Sequence, residues 1–86
     1  MKYTTRFTES ARSELQKLSR ATAITILRKL AELEQDPYGF HTTALVGLPE
    51  HRRLRVGDHR LIYTVDSGRL VVLVIRIGRR SAVYRD

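Results

Sequence analysis

Between residues 38 and 51 the spacing of apolar side chains changes period. Before this stretch they recur every three or four residues, as on a helix; after it they alternate, as on a strand. A chain that is mainly helical in its first half and extended in its second must lay its helices against a sheet, an α+β arrangement. In the first half, Tyr3, Thr5 and Phe7 alternate with Thr4 and Arg6, which predicts a short opening strand. Thr8 is a helix cap, and Glu9 falls in the first turn, where a carboxylate suits the helix dipole. Ala11, Leu15 and Leu18 form a narrow stripe on this helix. Ser19 caps a second helix with a broader stripe of Ala23, Ile24, Leu27, Leu30, Ala31 and Leu33. Asp36-Pro37-Tyr38-Gly39 ends it, because the residue before proline is pushed out of the helical region. Almost nothing separates the two helices, so they are expected to form an antiparallel hairpin.

Residues 38–51 read as a loop with one short apolar segment, Ala44-Leu45-Val46. Beyond it, Leu54 and Val56 alternate with Arg53 and Arg55, and Val56-Gly57-Asp58-His59 turns the chain. Leu61, Tyr63 and Val65 then alternate with Arg60, Ile62 and Thr64, and Asp66-Ser67-Gly68 turns it again. Leu70 to Ile77, interrupted by Arg76, is expected to be the central strand, covered on both faces near its middle. Gly78-Arg79-Arg80 ends it, and Ser81 to Tyr84 could add a short extended segment. The expectation is one domain over residues 1–86. It has an N-terminal strand and a helical hairpin packed on one face of a mostly antiparallel four-stranded sheet.

Composition narrows the function classes. Eighty-six residues have room for one core. The absence of cysteine excludes disulfides, thiolate metal sites and cysteine nucleophiles. The longest apolar run, Leu70 to Ile75, is far short of the roughly 20 residues that span a bilayer. The N-terminus lacks the apolar stretch of a signal peptide, so a cytoplasmic protein without membrane contact is expected. Sixteen basic residues against nine acidic ones give +7, and 13 of the 16 are arginine. The excess is uneven: residues 1–44 carry seven basic and five acidic side chains, residues 45–86 nine arginines and four acids. Arginine offers a planar, permanently charged fork that suits phosphate, so the balance points to nucleic acid. A surface that serves solubility or an acidic protein partner is the alternative.

If the helices cover one side of the sheet, the other side carries Arg53 and Arg55, with Arg60 just past the hairpin and Arg76, Arg79 and Arg80 at the end of the next strand. At ordinary strand spacings several guanidinium groups would converge within roughly 10–15 Å, the reach of one or two phosphates. The competing picture is a solvated face with its arginines fanned outward. His41, His51 and His59 have neither the spacing nor the carboxylates of a metal site. His59, beside Arg60, could serve as a proton carrier. Tyr84 either seals the sheet edge or stacks on a base.

The run Arg53-Leu54-Arg55-Val56-Gly57-Asp58-His59-Arg60-Leu61-Ile62-Tyr63, followed by Val71 to Arg80 and then Val83-Tyr84, resembles the RelE branch of the RelE/ParE toxin superfamily. The opening strand and first helix fit as well, so the likeness spans nearly the whole chain. It implies the toxin of a type II toxin–antitoxin pair, an endoribonuclease that cuts messenger RNA in the ribosomal decoding site. The RNA 2′-hydroxyl attacks the adjacent phosphate, and no metal or other cofactor takes part. Carried over by position, Arg53 and Arg55 match two family lysines. Arg60 matches a phosphate-holding arginine, Arg80 one that meets transition-state or leaving-group charge, and Tyr84 a tyrosine that stacks on or orients a nucleotide. Arg52, His59, Arg76 and Arg79 are further candidates for RNA contact.

Arginine where the family has lysine leaves the general base unassigned, since a guanidinium effectively cannot give up its proton. His59 and Tyr84 are the substitutes, and cleavage by positioning and charge stabilisation alone is the other outcome. The resemblance further implies a small acidic, RelB-like antitoxin in a hetero-oligomer, with operator DNA bound through the antitoxin. The alternative reading is a ParE-like inhibitor of DNA gyrase, or a catalytically weak homologue that binds nucleic acid or antitoxin.

Overall fold

The computed structural model describes residues 2–39 and 42–79, in the order β1 (Thr4–Phe7), α1 (Glu9–Gln16), α2 (Arg20–Gln35), β2 (Thr42–Leu45), β3 (Leu48–Val56), β4 (His59–Asp66) and β5 (Val71–Arg79). Both helix starts form where the caps predict them. The Thr8 hydroxyl accepts the Ala11 N–H at 3.1 Å, and the Ser19 hydroxyl accepts the Thr22 N–H at 3.2 Å. Such a cap contributes about 1 kcal/mol. α2 stops at Gln35, immediately before Asp36-Pro37. No helix among the described residues is long and apolar enough to cross a membrane.

The strands form one sheet in the order β1-β5-β4-β3-β2, with β1 parallel to β5 and every other pair antiparallel. This corrects the expected count of four. Thr42–Leu45, read as loop, pairs with β3 as an edge strand. It is short, has no alternation of burial, and carries a bulge between Ala44 and Leu45, so it leaves no two-residue signature in the sequence. The middle position belongs to β4; β5 lies between β4 and β1, and Leu73 on its outer face is only half-buried.

Both helices lie on the same side of the sheet. Ala11, Ile26, Leu30 and Leu33 meet Leu54, Val56, Leu61, Tyr63, Val72, Val74 and Ile77, with Leu15, Leu18 and Phe7 partly buried around them. Burying one such aliphatic side chain is worth about 1.5–3 kcal/mol. The stripe on α2 differs from expectation. Ile26 is fully buried, whereas Ile24 and Leu27 are 39% and 46% exposed. α2 is apolar over a wide arc, and packing against the sheet selects which part faces inward.

A second irregularity shapes β5. Tyr63 pairs with Val74 and Leu61 with Ile77, so Ile75 and Arg76 together oppose Ile62. Without this bulge, strict alternation would put Arg76 on the core side with Val72 and Val74. The extra residue turns Ile77 inward and Arg76 away.

Candidate nucleic-acid interface

The face of the sheet away from the helices can be read row by row from the strand register. In one row Arg55 on β3 lies directly opposite Arg60 on β4, and Arg60 lies opposite Gly78 on β5. In the next row Thr43, Arg53, Ile62 and Arg76 follow one another across four strands. His51, Thr64 and Leu73 make the third. Neighbours within a row have Cβ atoms about 5 Å apart, and rows are about 6.7 Å apart. Arg53, Arg55 and Arg60 thus occupy one small area.

Their environments differ. Arg55 is exposed, Arg53 is half-buried, and Arg60 is only 8% exposed. Gly78, opposite Arg60 on β5, brings no side chain to that position. Like charges placed opposite each other on a sheet oppose folding unless other groups compensate them, and Arg53 and Arg60 each make a further interaction within the protein. The β3–β4 turn that sets the pair in register has Gly57 in its first position, at φ 58°, a conformation that an L side chain rarely adopts.

The remaining sequence candidates fall elsewhere. Arg76 shares a row with Arg53, but its guanidinium is drawn to Glu14 of α1, with Nη2 and Oε2 3.2 Å apart. Arg52 is on the helix side. Its Nη2 donates to the Thr42 hydroxyl at 2.9 Å, and its guanidinium lies 5.0 Å from the centre of the Tyr38 ring. Beside it the Tyr63 hydroxyl donates to the Pro37 carbonyl at 2.6 Å. Burial raises the Tyr63 pKa above its ordinary value, while Arg52 and Thr42 pull the other way. His59 also faces the helices, where it lines a groove with Val56, Gly57 and Asp58 against Ala21, Thr22 and Thr25 of α2. Arg79 is in register with His59. Arg80 and Tyr84 lie outside the described residues.

One residue on the arginine face was not singled out by sequence. His51 stands two positions before Arg53 and so on the same side. Its Nδ1 is buried without a hydrogen-bond partner. The signal was present in the alternation His51, Arg53, Arg55, but strand β3 begins earlier than the clear polar–apolar pattern does.

Comparison with known proteins agrees with this architecture. The profile of the family described as the ParE toxin of the type II toxin–antitoxin system parDE matches residues 5–84. Toxin RelG of Mycobacterium tuberculosis is 34% identical over 99% of both chains. The mRNA interferase toxin RelE of Escherichia coli is 33% identical over all of this chain and 94% of its own. Among solved structures, the M. tuberculosis toxin–antitoxin complex RelBE2 superposes with a TM-score of 0.83 at 28% identity, covering 93% of this chain and all of that one. The intact E. coli RelBE complex gives 0.80 at 29% identity, covering 90% and 95%. With the profile, the relatives and the five-stranded fold in agreement, the chain belongs to the RelE/ParE superfamily as a RelE-like toxin of a type II toxin–antitoxin system.

Proposed function

We propose that this chain is an endoribonuclease that cuts messenger RNA in the translating ribosome and is held in check by an acidic, RelB-like antitoxin. The observation that carries the reading is the grouping of Arg53, Arg55 and Arg60 on the face away from α1 and α2. The names of the relatives, mRNA interferase among them, support the same chemistry.

In the proposed reaction an RNA 2′-hydroxyl attacks the adjacent phosphorus. A new P–O bond forms, the bond to the 5′-oxygen of the next nucleotide breaks, and a cyclic phosphate and a 5′-hydroxyl result. The attacking hydroxyl loses a proton and the leaving oxygen gains one. Between these events the phosphorane carries extra negative charge, and preorganised donors aimed at that charge give the largest share of the acceleration. Arg60, held closely between β3 and β5, is suited to grip a non-bridging oxygen with its fork. Arg53 and Arg55 add charge on one side. Arg80 and Tyr84 are assigned to the leaving-group side and to nucleotide stacking by position in the family. No arginine takes the proton from the 2′-hydroxyl, so positioning and charge carry the reaction, with a weak base or water completing it.

The antitoxin is expected to neutralise the basic half of the chain by complementary charge. The crystallised relatives in complex with RelB support that partner. Operator DNA is then bound through the antitoxin, and the cytoplasm is where toxin, antitoxin and ribosome meet. The test is a translating extract given this protein, with messenger RNA mapped by primer extension. Cuts inside codons that require ribosomes support the proposal; intact messenger RNA refutes it. A second reading, inhibition of DNA gyrase, is favoured by the match to the ParE profile. Intact messenger RNA together with blocked supercoiling in a purified gyrase assay would establish that reading.

A further inference from the structure

β1 ends at Phe7, paired with Val74, yet β5 continues to Arg79. Among the described residues no strand lies beside the outer edge of β5 beyond Val74, and its backbone groups need other partners. The start of α1 supplies them. The Thr8 N–H donates to the Val74 carbonyl at 3.0 Å, and the Thr8 hydroxyl donates to the Ile75 carbonyl at 2.9 Å. Farther along the helix, Glu14 Oε1 accepts the Ile77 N–H at 2.9 Å. The same carboxylate receives Arg76 Nε and Nη2 at 3.2–3.3 Å.

These bonds sit at the bulge, where Ile75 and Arg76 share one partner on β4. A bulge interrupts the ladder, so the strand beyond it depends more on whatever holds its other edge. That part of β5 carries Gly78, which lies directly opposite Arg60 in the strand register. The Arg76 side chain is 52% exposed, and an ion pair so open to water contributes little. The bond from the Ile77 amide to a carboxylate whose side chain is only 26% exposed is the stronger link.

We propose that Glu14 is a positioning residue for the arginine face. By accepting the Ile77 amide at the edge that β1 has left, it fixes the end of β5, and through Gly78 the course of the Arg60 side chain. Its effect on RNA cleavage rests on the proposed activity; its effect on Arg60 does not.

The experiment compares wild type, Glu14→Ala, Glu14→Gln and Arg76→Ala in the full-length chain by NMR. In Glu14→Ala the Ile77 amide is expected to exchange with solvent roughly tenfold faster or more, with Leu61 and Tyr63 amides unchanged. The Arg60 Nε–H resonance shifts in the same variant. Glu14→Gln, which keeps an acceptor oxygen, restores both, and Arg76→Ala leaves the Ile77 amide protected. An Ile77 amide still protected in Glu14→Ala overturns the proposal, as does an unmoved Arg60 resonance or loss of protection in Arg76→Ala. Should Glu14→Ala not fold, Glu14→Asp, one methylene too short to reach Ile77, replaces it. In translating extracts Glu14→Ala is expected to lower kcat roughly tenfold with little change in KM, and Glu14→Gln to recover it; an unchanged kcat also refutes the positioning role. If wild type itself cuts no messenger RNA, the activity is refuted while the NMR arms still decide the role of Glu14.

Discussion

Arg52 and Arg53 are adjacent in the chain and serve opposite sides of the sheet. Arg52 lies toward the helices, hydrogen-bonded to Thr42 and stacked near Tyr38. Arg53 lies on the side away from the helices, two positions from Arg55 and one row from Arg60. The same residue type is thus a structural tie on one side and part of a candidate phosphate grip on the other. Which role it takes depends on strand parity, because successive side chains point to opposite faces. The two faces should therefore respond differently to substitution, one in stability and the other in chemistry.

The largest effect is expected on the helix side. Leu61→Ala empties space between β4 and the helices, where the native side chain is fully buried. It should cost about 2–5 kcal/mol, a large part of what a domain of this size has, read from urea unfolding. A loss under 1 kcal/mol would mean that the core is not centred there.

Arg60→Ala should act chiefly on chemistry, lowering cleavage in a translating extract by about 100-fold or more. Arg60→Lys should recover little of it, since an ammonium lacks the two-pronged fork. Equal losses of stability and activity in Arg60→Ala would erase the distinction between the faces.

The pair Arg53→Ala and Arg52→Ala sharpens the comparison further. The first should slow cleavage by roughly tenfold, while the second removes the hydrogen bond to Thr42 and the ring contact with Tyr38, about 1 kcal/mol in all. Cleavage per folded molecule should stay with the wild type in Arg52→Ala.

The smallest effect concerns pH. The Tyr63 pKa is raised in the folded protein above its ordinary value of 10.0, chiefly by burial. The unfolded chain therefore releases this proton first as pH rises. The contribution of Tyr63 to stability is fully present below pH 10 and is lost as pH climbs through the folded value. Tyr63→Phe should flatten that decline in a stability–pH curve. It also removes the 2.6 Å bond to Pro37 and should cost about 1 kcal/mol at neutral pH. An unchanged alkaline slope in Tyr63→Phe would mean that another group is responsible.

Much of this was legible in the order of the residues. Thr8 and Ser19 announced the helix starts, and Asp36-Pro37 the end of α2, because caps and proline act on the local backbone. The alternation from Arg53 onward announced two strands and their turn, and it correctly put Arg53, Arg55 and Arg60 on one face. Strand β2 was not legible, since an edge strand with a bulge need not alternate. The inward side of α2 was misread at Ile24 and Leu27 because more of the helix is apolar than the sheet can cover. His59 beside Arg60 looked like a member of the site, but adjacency along a strand means the opposite face.

The sequence alone thus determined the local geometry: where helices begin, where strands alternate, and that the second half carries a large excess of permanent positive charge. These follow from each residue's own backbone preferences and ionisation. Only the tertiary structure decided that a bulge on β5 turns Arg76 out of the core, that Glu14 takes it up and holds the neighbouring amide, and that Gly78 rather than a side chain lies beside Arg60. Those outcomes depend on register between strands far apart in the chain, and register is set by which faces can be buried together, a property that no single segment possesses.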